Sequence, residues 1–383
     1  MKYLVLGSGQ MGTAVAFDLA QAEDTEEIVL ADIDEERARH TAEKIGSANV
    51  RTARLDVNYY DDVLGLMAGH DVAVSAVLYK HNVLLTKAAI ETGVSLCDLG
   101  GNNEVVEKQR GLHLKAEQGG VTILPNCGLA PGMANVIAVR GVNSFDAVDE
   151  LHIRVGGLPQ NPRPPLNYQL VFSPEGLINE YIEKAEIIRH GNRMKVESMT
   201  ELEDIAFPQP FNGLEAFHTS GGISSLARLF EGRIRELDYK TIRYKGHCQT
   251  FKVLIDLGFT GSEPSADGTD SRTPREIFGD LLERTLTFND KDVVLMRITI
   301  SGEKDGKRRT RAWEMVDYYD EKNAMTAMMR TTGYSTSIIA QMVARGQIHQ
   351  RGVFLPEQVV DGGILLKELA ARNIDVRECD EAR

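Results

Sequence analysis

The chain opens MKYLVLGSGQMGTAVAFDLAQ, and the apolar run that enters Gly7, Gly9 and Gly12 restricts the fold more than any other stretch. Tyr3–Leu6 reads as a buried strand and Met11–Gln21 as a helix, so the glycines occupy the turn between them. Their duties are separable. Gly7 allows the tight turn, Gly9 lets the backbone approach a pyrophosphate, and Gly12 lets the helix pack closely on a sheet. The helix start at Gln10 and Met11 supplies unpaired N–H groups and partial positive charge, which stabilise an anion. A second strand, Ile28–Ala31, leads to Asp32, about twenty residues past the third glycine, where a carboxylate accepts from ribose hydroxyls. That carboxylate repels a 2′-phosphate, so NAD is favoured over NADP, with Arg37 and Arg39 nearby pulling the other way.

Strand and helix patterns continue to alternate. Further strands read as Val50–Leu55, Val72–Val77, Ser95–Cys97 and Val121–Leu124, separated by helices Glu35–Ile45, Tyr59–Met67, Val83–Thr92 and Glu104–Glu117. Right-handed crossovers between parallel strands give a doubly wound α/β sheet of the Rossmann type, over residues 1–126. Its ligand edge lies at the carboxyl ends of the strands, where Asp56, Ala76, Val77 and Leu78 fall. Asp56 meets adenine there or caps the helix before Tyr59.

After Asn126 the pattern changes to longer strands with antiparallel signals: Asp149–Val155, Leu237–Tyr244, Phe251–Leu257, Val293–Ser301 and Arg309–Val316. Asp305-Gly306 marks a hairpin turn between the last two, and places the basic run Lys304–Arg311 at a solvated tip. A second, α+β domain with a mainly antiparallel sheet follows. The Pro-rich stretch Gly156–Tyr168 reads as an extended loop, because its prolines remove backbone donors. Thr332–Arg345 reads as a helix rich in small residues, suited to close packing.

At 383 residues the chain exceeds one core of common size, and 42% apolar with 26% charged residues is globular. No apolar run approaches the roughly 18 residues of a membrane span, and no leader precedes the first strand, so a cytoplasmic protein without a membrane partner is expected. Cys97, Cys127, Cys248 and Cys379 form no metal-binding or disulfide spacing. The net charge of −13 argues against nucleic acid.

The stretches LGSGQMG, CDLGGNN (Cys97–Asn103), LPNCGLAPGMAN (Leu124–Asn135), VGGLPQNPRPPLNYQLVFSPEGL, LEAFHTSGG (Leu214–Gly222), YKTIRYKGH (Tyr239–His247) and GVFLPEQ occur in this order over most of the chain. In these the sequence resembles the saccharopine dehydrogenase-like family, most closely its lysine 6-dehydrogenase branch. The resemblance implies a dinucleotide-binding domain (1–126), a substrate and oligomerisation domain (127–345), and a C-terminal segment (346–383) that returns to the first. It also implies a homodimer or higher homo-oligomer. The implied activity is NAD-dependent oxidative deamination of the side-chain amine of L-lysine. The alternatives are oxidation or reduction of a secondary amine of the saccharopine or carboxynorspermidine kind, and a non-catalytic NAD-binding regulator. At Asn126 the family often has an acidic residue, so this chain departs from the pattern at a corner of the substrate site.

Such chemistry needs a neutral amine, hence a base, and a cation for the α-carboxylate. Asp98, at the end of the fifth strand, either takes the amine or caps the turn towards the Glu104 helix. His218 is a base, acid or substrate partner, or is satisfied within a loop; Thr219 beside it offers a hydroxyl. Alternation along Tyr239–Tyr244 puts Arg243 and Lys240 on opposite faces, so they cannot share one pocket. Arg243 is preferred for the carboxylate, against an ion-pair role, and Lys240 is the weaker candidate. His247 and Tyr168 are further pocket candidates or packing residues. In NCGLAPG, Pro131 suits the first turn of a helix, and Cys127 reads as a packing thiol because no activating base adjoins it.

Overall fold

Six short strands follow one another from the N-terminus: β1 (Lys2–Leu6), β2 (Glu27–Asp32), β3 (Val50–Arg54), β4 (Val72–Ser75), β5 (Ser95–Asp98) and β6 (Thr122–Leu124). All pair in parallel, and a seventh strand, Gly352–Val353, extends β6. The order is Gly352–Val353, β6, β5, β4, β1, β2, β3, with the reversal between β4 and β1 that defines a doubly wound sheet. Its core comes from inward residues such as Leu4, Leu6, Ala73, Leu85, Leu96, Ile123 and Val353.

Local chemistry sets the helix ends. Asp34 accepts from the Glu36 and Arg37 amides to start Glu35–Ile45, and Gly46, at φ +67°, ends it in the left-handed region. The predicted helix Glu104–Glu117 is two, Asn103–Arg110 and His113–Gln118, parted at Gly111.

This is a computed structural model that describes residues 1–264, 272–288 and 290–380. Met1–Arg140 and Met329–Ile374 form one compact unit; the other is Gly141–Met328 with the chain from Asp375 onward. The cut differs from the boundaries 127–345 and 346–383 expected from sequence, whose last three residues lie outside the described ones. Packing explains the difference. The segment Arg330–Tyr334 forms a π-helical turn leading into helix Ser335–Ala344. At Gly333 a Cβ would stand 2.5 Å from that of Ala14, on helix Gln10–Ala20. Ser337 then donates to buried Asp18 at 2.6 Å, and Arg372 donates to the same carboxylate at 2.6 Å. These residues complete the unit that holds the glycine turn.

The other unit is built on β7 (Ala147–Pro159), β8 (Ala185–Arg189), β9 (Asn192–Val196), β10 (Glu203–Ile205), β11 (Leu214–His218), β12 (Glu236–Tyr244), β13 (Asp292–Lys304) and β14 (Lys307–Tyr318). The main path runs β10, β11, β12, β7, β13, β14 and then Val376–Asp380. The β12–β7 pair is parallel and its neighbours in the path are antiparallel, as the expected mainly antiparallel sheet requires. Asp305 and Gly306, at φ +51° and +67°, make the two-residue hairpin turn.

Two sequence expectations are corrected. Phe251–Asp256 is not a strand but part of helix His247–Asp256, on which buried Phe251 lies one turn beyond buried His247 and Cys248. Glu215 starts it by accepting from the Gly246 and Cys248 amides. The Pro-rich stretch is a loop only beyond Pro159, because β7 continues through Gly156 and Gly157. There a Cβ would stand 2.5 Å from the Ile242 carbonyl oxygen or 2.5 Å from Met328 Cε, so glycine lets the strand pass between close neighbours.

Candidate functional site

The glycine turn differs physically at each glycine. Gly7 has φ +99°, and a Cβ there would stand 2.8 Å from the Ala76 carbonyl oxygen. A Cβ at Gly12 would stand 1.8 Å from the Gly7 carbonyl oxygen, so the helix cannot approach β1 with any larger residue. Gly9 is the helix N-cap, and a Cβ there would meet nothing within 4 Å. Open space above a helix start, next to the amides of Gln10 and Met11, fits a pyrophosphate.

Asp32, at the end of β2, is bound to the same turn. Its carboxylate accepts from Ser8 N at 2.7 Å, Ser8 Oγ at 2.8 Å and Asp34 N at 3.0 Å. Burial alone would raise its pKa, but these donors outweigh it and hold the carboxyl below its ordinary range. Asp56 closes β3 without capping the next helix: it accepts from Asn58 N and Nδ2, and Tyr59 is the N-cap of Tyr60–Met67. Ala76 packs on the glycine turn, Val77 is half-buried and Leu78 is exposed.

Asp98 ends β5, fully buried. Its Oδ2 accepts from Gln109 Nε2 at 2.7 Å and its Oδ1 from Gly100 N at 2.7 Å. The turn is therefore held by Asp98, while Asn102 caps the following helix. Burial pushes the Asp98 carboxyl up to about 6, against the opposing pull of the Gln109 amide and the Gly100 and Asn126 N–H groups. Asn126 is buried beside it in left-handed backbone, φ +67°. Gly100 makes room for the Asn126 side chain, since a Cβ there would stand 2.0 Å from Asn126 Oδ1. The Cys127 thiol donates to Leu124 O, and burial with the adjoining Cys97 pushes it up, which fits a packing thiol. Pro131 precedes the helix Met133–Val142 rather than entering its first turn.

In the second unit, β12 divides its side chains as the alternation requires. Arg243 is 2% exposed and stacks over Tyr168, with the guanidinium carbon 4.6 Å from the ring centroid. Its Nε donates to Tyr181 Oη at 2.8 Å, Tyr181 Oη lies 3.0 Å from His247 Nε2, and His247 Nδ1 lies 3.0 Å from Leu166 O. One proton arrangement satisfies all four groups: Tyr181 donates to Nε2, and Nδ1–H donates to the carbonyl. Burial first, and the Arg243 charge second, depress His247 to about 3, which keeps it in that neutral form. Thr219 and Thr241 share a hydroxyl hydrogen bond of 2.7 Å on the same side.

Glu180 joins this cluster although the sequence reading did not single it out. It lies on helix Pro174–Ile182, which Ser173 caps and whose buried Leu177, Ile178 and Tyr181 anchor it. Glu180 Oε2 stands 4.0 Å from Arg243 Nη2. Burial pushes its carboxyl up to about 7, with the Arg243 charge opposing. The signal in the sequence was faint, a glutamate directly before an inward-facing tyrosine.

Lys240 and His218 occupy the opposite face. They are register partners in β12 and β11, as Arg243 is with Glu215. Lys240 Nζ donates to Glu203 Oε2 at 2.6 Å and Glu201 O at 2.7 Å. His218 is fully buried between Tyr239 O and Glu201 Oε2, each at 3.2 Å. Arg154 adds bonds to Glu203 and Asp238, so this face carries a closed ion network. Among the described residues no group of three His, Cys, Asp or Glu could hold a metal, and no helix is long and apolar enough to cross a membrane.

Comparison with known proteins places these features in a family. Residues 3–124 match the family model described as the saccharopine dehydrogenase NADP binding domain, and residues 128–374 that of the saccharopine dehydrogenase C-terminal domain. The mitochondrial alpha-aminoadipic semialdehyde synthase of Bos taurus is 23% identical over 97% of this chain and 47% of its own length, so the chain spans about half of that relative. The carboxyaminopropylagmatine dehydrogenase of Synechocystis is 24% identical, covering 96% of this chain and 94% of that protein. The solved apo saccharopine dehydrogenase (L-Glu forming) from Saccharomyces cerevisiae superposes over all of both chains with a TM-score of 0.83 at 20% identity, which shows a shared fold. The chain belongs to the saccharopine dehydrogenase family.

Proposed function

We propose that the protein is an NAD-dependent amine dehydrogenase that oxidatively deaminates the side-chain amine of L-lysine to the semialdehyde and ammonia. One observation carries the reading. Arg243 is a buried cation whose acidic neighbour stands at 4.0 Å, beyond hydrogen-bond reach, so it suits the carboxylate of a substrate.

Gly9, Gln10 and Met11 would hold the pyrophosphate, and Asp32 the adenosine ribose, with Ala76, Val77 and Leu78 along the same edge. A bound dinucleotide supplies the hydride acceptor. The ionised Asp32, followed by Asp34, Glu35 and Glu36, disfavours a 2′-phosphate and supports NAD.

The amine must lose a proton before its carbon gives up hydride. Asp98 is the assigned acceptor: its Oδ2 keeps a lone pair beyond the Gln109 donor, while Oδ1 is taken by the Gly100 and Asn126 N–H groups, and with a pKa of about 6 it is largely ionised at neutral pH. Asn126 orients the amine without adding charge, and Thr219 holds Thr241, which shares the Arg243 face of β12. Water then adds to the imine carbon and ammonia leaves. Lys240 and His218 are assigned to the ion network of the other face.

A second reading, oxidation of a secondary amine joining two amino-acid fragments, is favoured by the name of the Synechocystis relative, which the chain covers almost fully. A second carboxylate would need another cation. Arg154 and Lys240 are already paired with Glu203 on the opposite face, which favours the smaller substrate.

The test is purified protein with NAD or NADP and a panel of lysine, ornithine, saccharopine and carboxynorspermidine, recording reduced nicotinamide and ammonia. Lysine-dependent NADH with ammonia release supports the reading; turnover of saccharopine without lysine overturns it. Cofactor binding without turnover of any amine would mark a regulator.

A further inference from the structure

The Arg243 cluster holds a second charged group that the deamination reading does not use. Arg243 is fixed on three sides, by Tyr181 Oη, by the Ile242 carbonyl oxygen and by the Tyr168 ring. Its remaining nitrogen, Nη2, faces Glu180 Oε2 at 4.0 Å. The two charges are close enough to interact and too far apart for a direct bond. No hydrogen bond among the described residues reaches the Glu180 carboxylate, whose side chain is 30% exposed while that of Arg243 is 3%. The pair therefore offers a sheltered cation beside a reachable carboxyl group.

The placement of Glu180 is enforced rather than incidental. Tyr181, its neighbour on the helix, is buried against Phe217 and Phe251. The Glu180 carbonyl accepts from Ser220 N at 3.0 Å, which ties the helix to the Thr219–Gly222 loop. A long acidic side chain is thus held at the mouth of the cluster.

Resting on the assignment of Arg243 to the substrate carboxylate, we propose that Glu180 and Arg243 together form a receptor for the zwitterionic head of an α-amino acid. The carboxylate sits on Arg243 and the α-ammonium on Glu180. An α-amino acid carries its charges on adjacent atoms, and the two host groups present the complementary charges side by side. The substrate class follows: a free α-ammonium next to a carboxylate. Ligands that lack either group bind more weakly because one of the two host groups loses its charged partner.

The experiment uses the full chain and three probes measured by titration calorimetry: L-norleucine, hexanoate and pentylamine. Norleucine carries the head without a reactive side-chain amine. It is expected to bind at least about tenfold more tightly than hexanoate, as a charge-assisted contact implies. Glu180→Gln should reduce that preference to about threefold or less, by weakening norleucine and by relieving the repulsion of the hexanoate carboxylate, while Glu180→Asp should restore part of it. Equal binding of norleucine and hexanoate by the unsubstituted protein, or an unchanged preference in Glu180→Gln, overturns the proposal. Lysine turnover is scored separately. A Glu180-dependent preference without lysine oxidation retains the receptor and removes the deamination reading; oxidation without the preference does the reverse.

Discussion

Arg243 and His218 lie on adjoining strands of one sheet but on opposite faces, since Arg243 is registered against Glu215 and His218 against Lys240. Substitutions at the two positions should therefore separate. Arg243→Lys removes the planar fork and should raise KM for the amino-acid substrate by about ten- to a hundredfold, with a smaller change in kcat. His218→Asn should leave KM unchanged and lower the melting temperature, because His218 is enclosed between Glu201 and Tyr239. Steady-state kinetics beside thermal melts distinguish the two; a large KM effect at His218 would contradict the separation.

The three glycines of the first turn should respond in different ways. Gly12→Ala puts a methyl group 1.8 Å from the Gly7 carbonyl oxygen, so the helix must shift and the protein should lose stability. Gly9→Ala adds a methyl in open space and should melt like the unsubstituted protein. Its NADH affinity should nevertheless fall if, as proposed, the pyrophosphate approaches the backbone at Gly9. Melting curves with and without NADH read both effects.

Asp32 anchors Ser8, and the proposed function adds the adenosine ribose. Asp32→Ala should weaken NADH binding by about tenfold or more and narrow the preference over NADPH. Fluorescence titration with both cofactors tests this. Unchanged NADH affinity would mean that the ribose contact lies elsewhere.

Asp98 provides a pH signature. Its folded pKa of about 6 exceeds the ordinary carboxyl value of 3.8, so the native state keeps a proton that the unfolded chain has lost. Stability from this group is full below pH 4 and declines as pH rises to about 6, a difference on the order of 3 kcal/mol. Asp98→Asn should abolish that component and be the more stable form at neutral pH. Gln109 Oε1, which lacks a partner, can accept from the new amide after a flip. Urea unfolding at pH 4.5 and pH 7 reads the difference, and the same variant should lose most of kcat if Asp98 takes the proton of the amine.

The dinucleotide half was legible because its signals are local. Strand, glycines, helix and Asp32 lie within about thirty residues, and Gly7 and Gly12 each have a steric reason of their own. Residues 251–257 misled because Phe251, Val253 and Ile255 alternate like a strand, whereas the Glu215 carboxylate, brought by a distant strand, starts a helix there. The short strands β8 to β11 were not read, since their pairing rather than any apolar alternation defines them. Glu180 was missed for a related reason: its meaning depends on Arg243, sixty-three positions later, and on the fold that brings the helix over the strand. The side of His218 likewise follows from register with β12, a relation between two strands and not a property of either.

The strand Gly352–Val353 and the helix Ser335–Ala344 belong to the same unit as the first 140 residues. During synthesis the ribosome must therefore deliver the whole intervening unit before the opening sheet receives its last strand. Until then the β6 edge has no partner, and Asp18 lacks both Ser337 and Arg372. A nascent chain would carry an unfinished nucleotide-binding half through most of its elongation, and a message cut short even near its end would yield that half without its closing pieces.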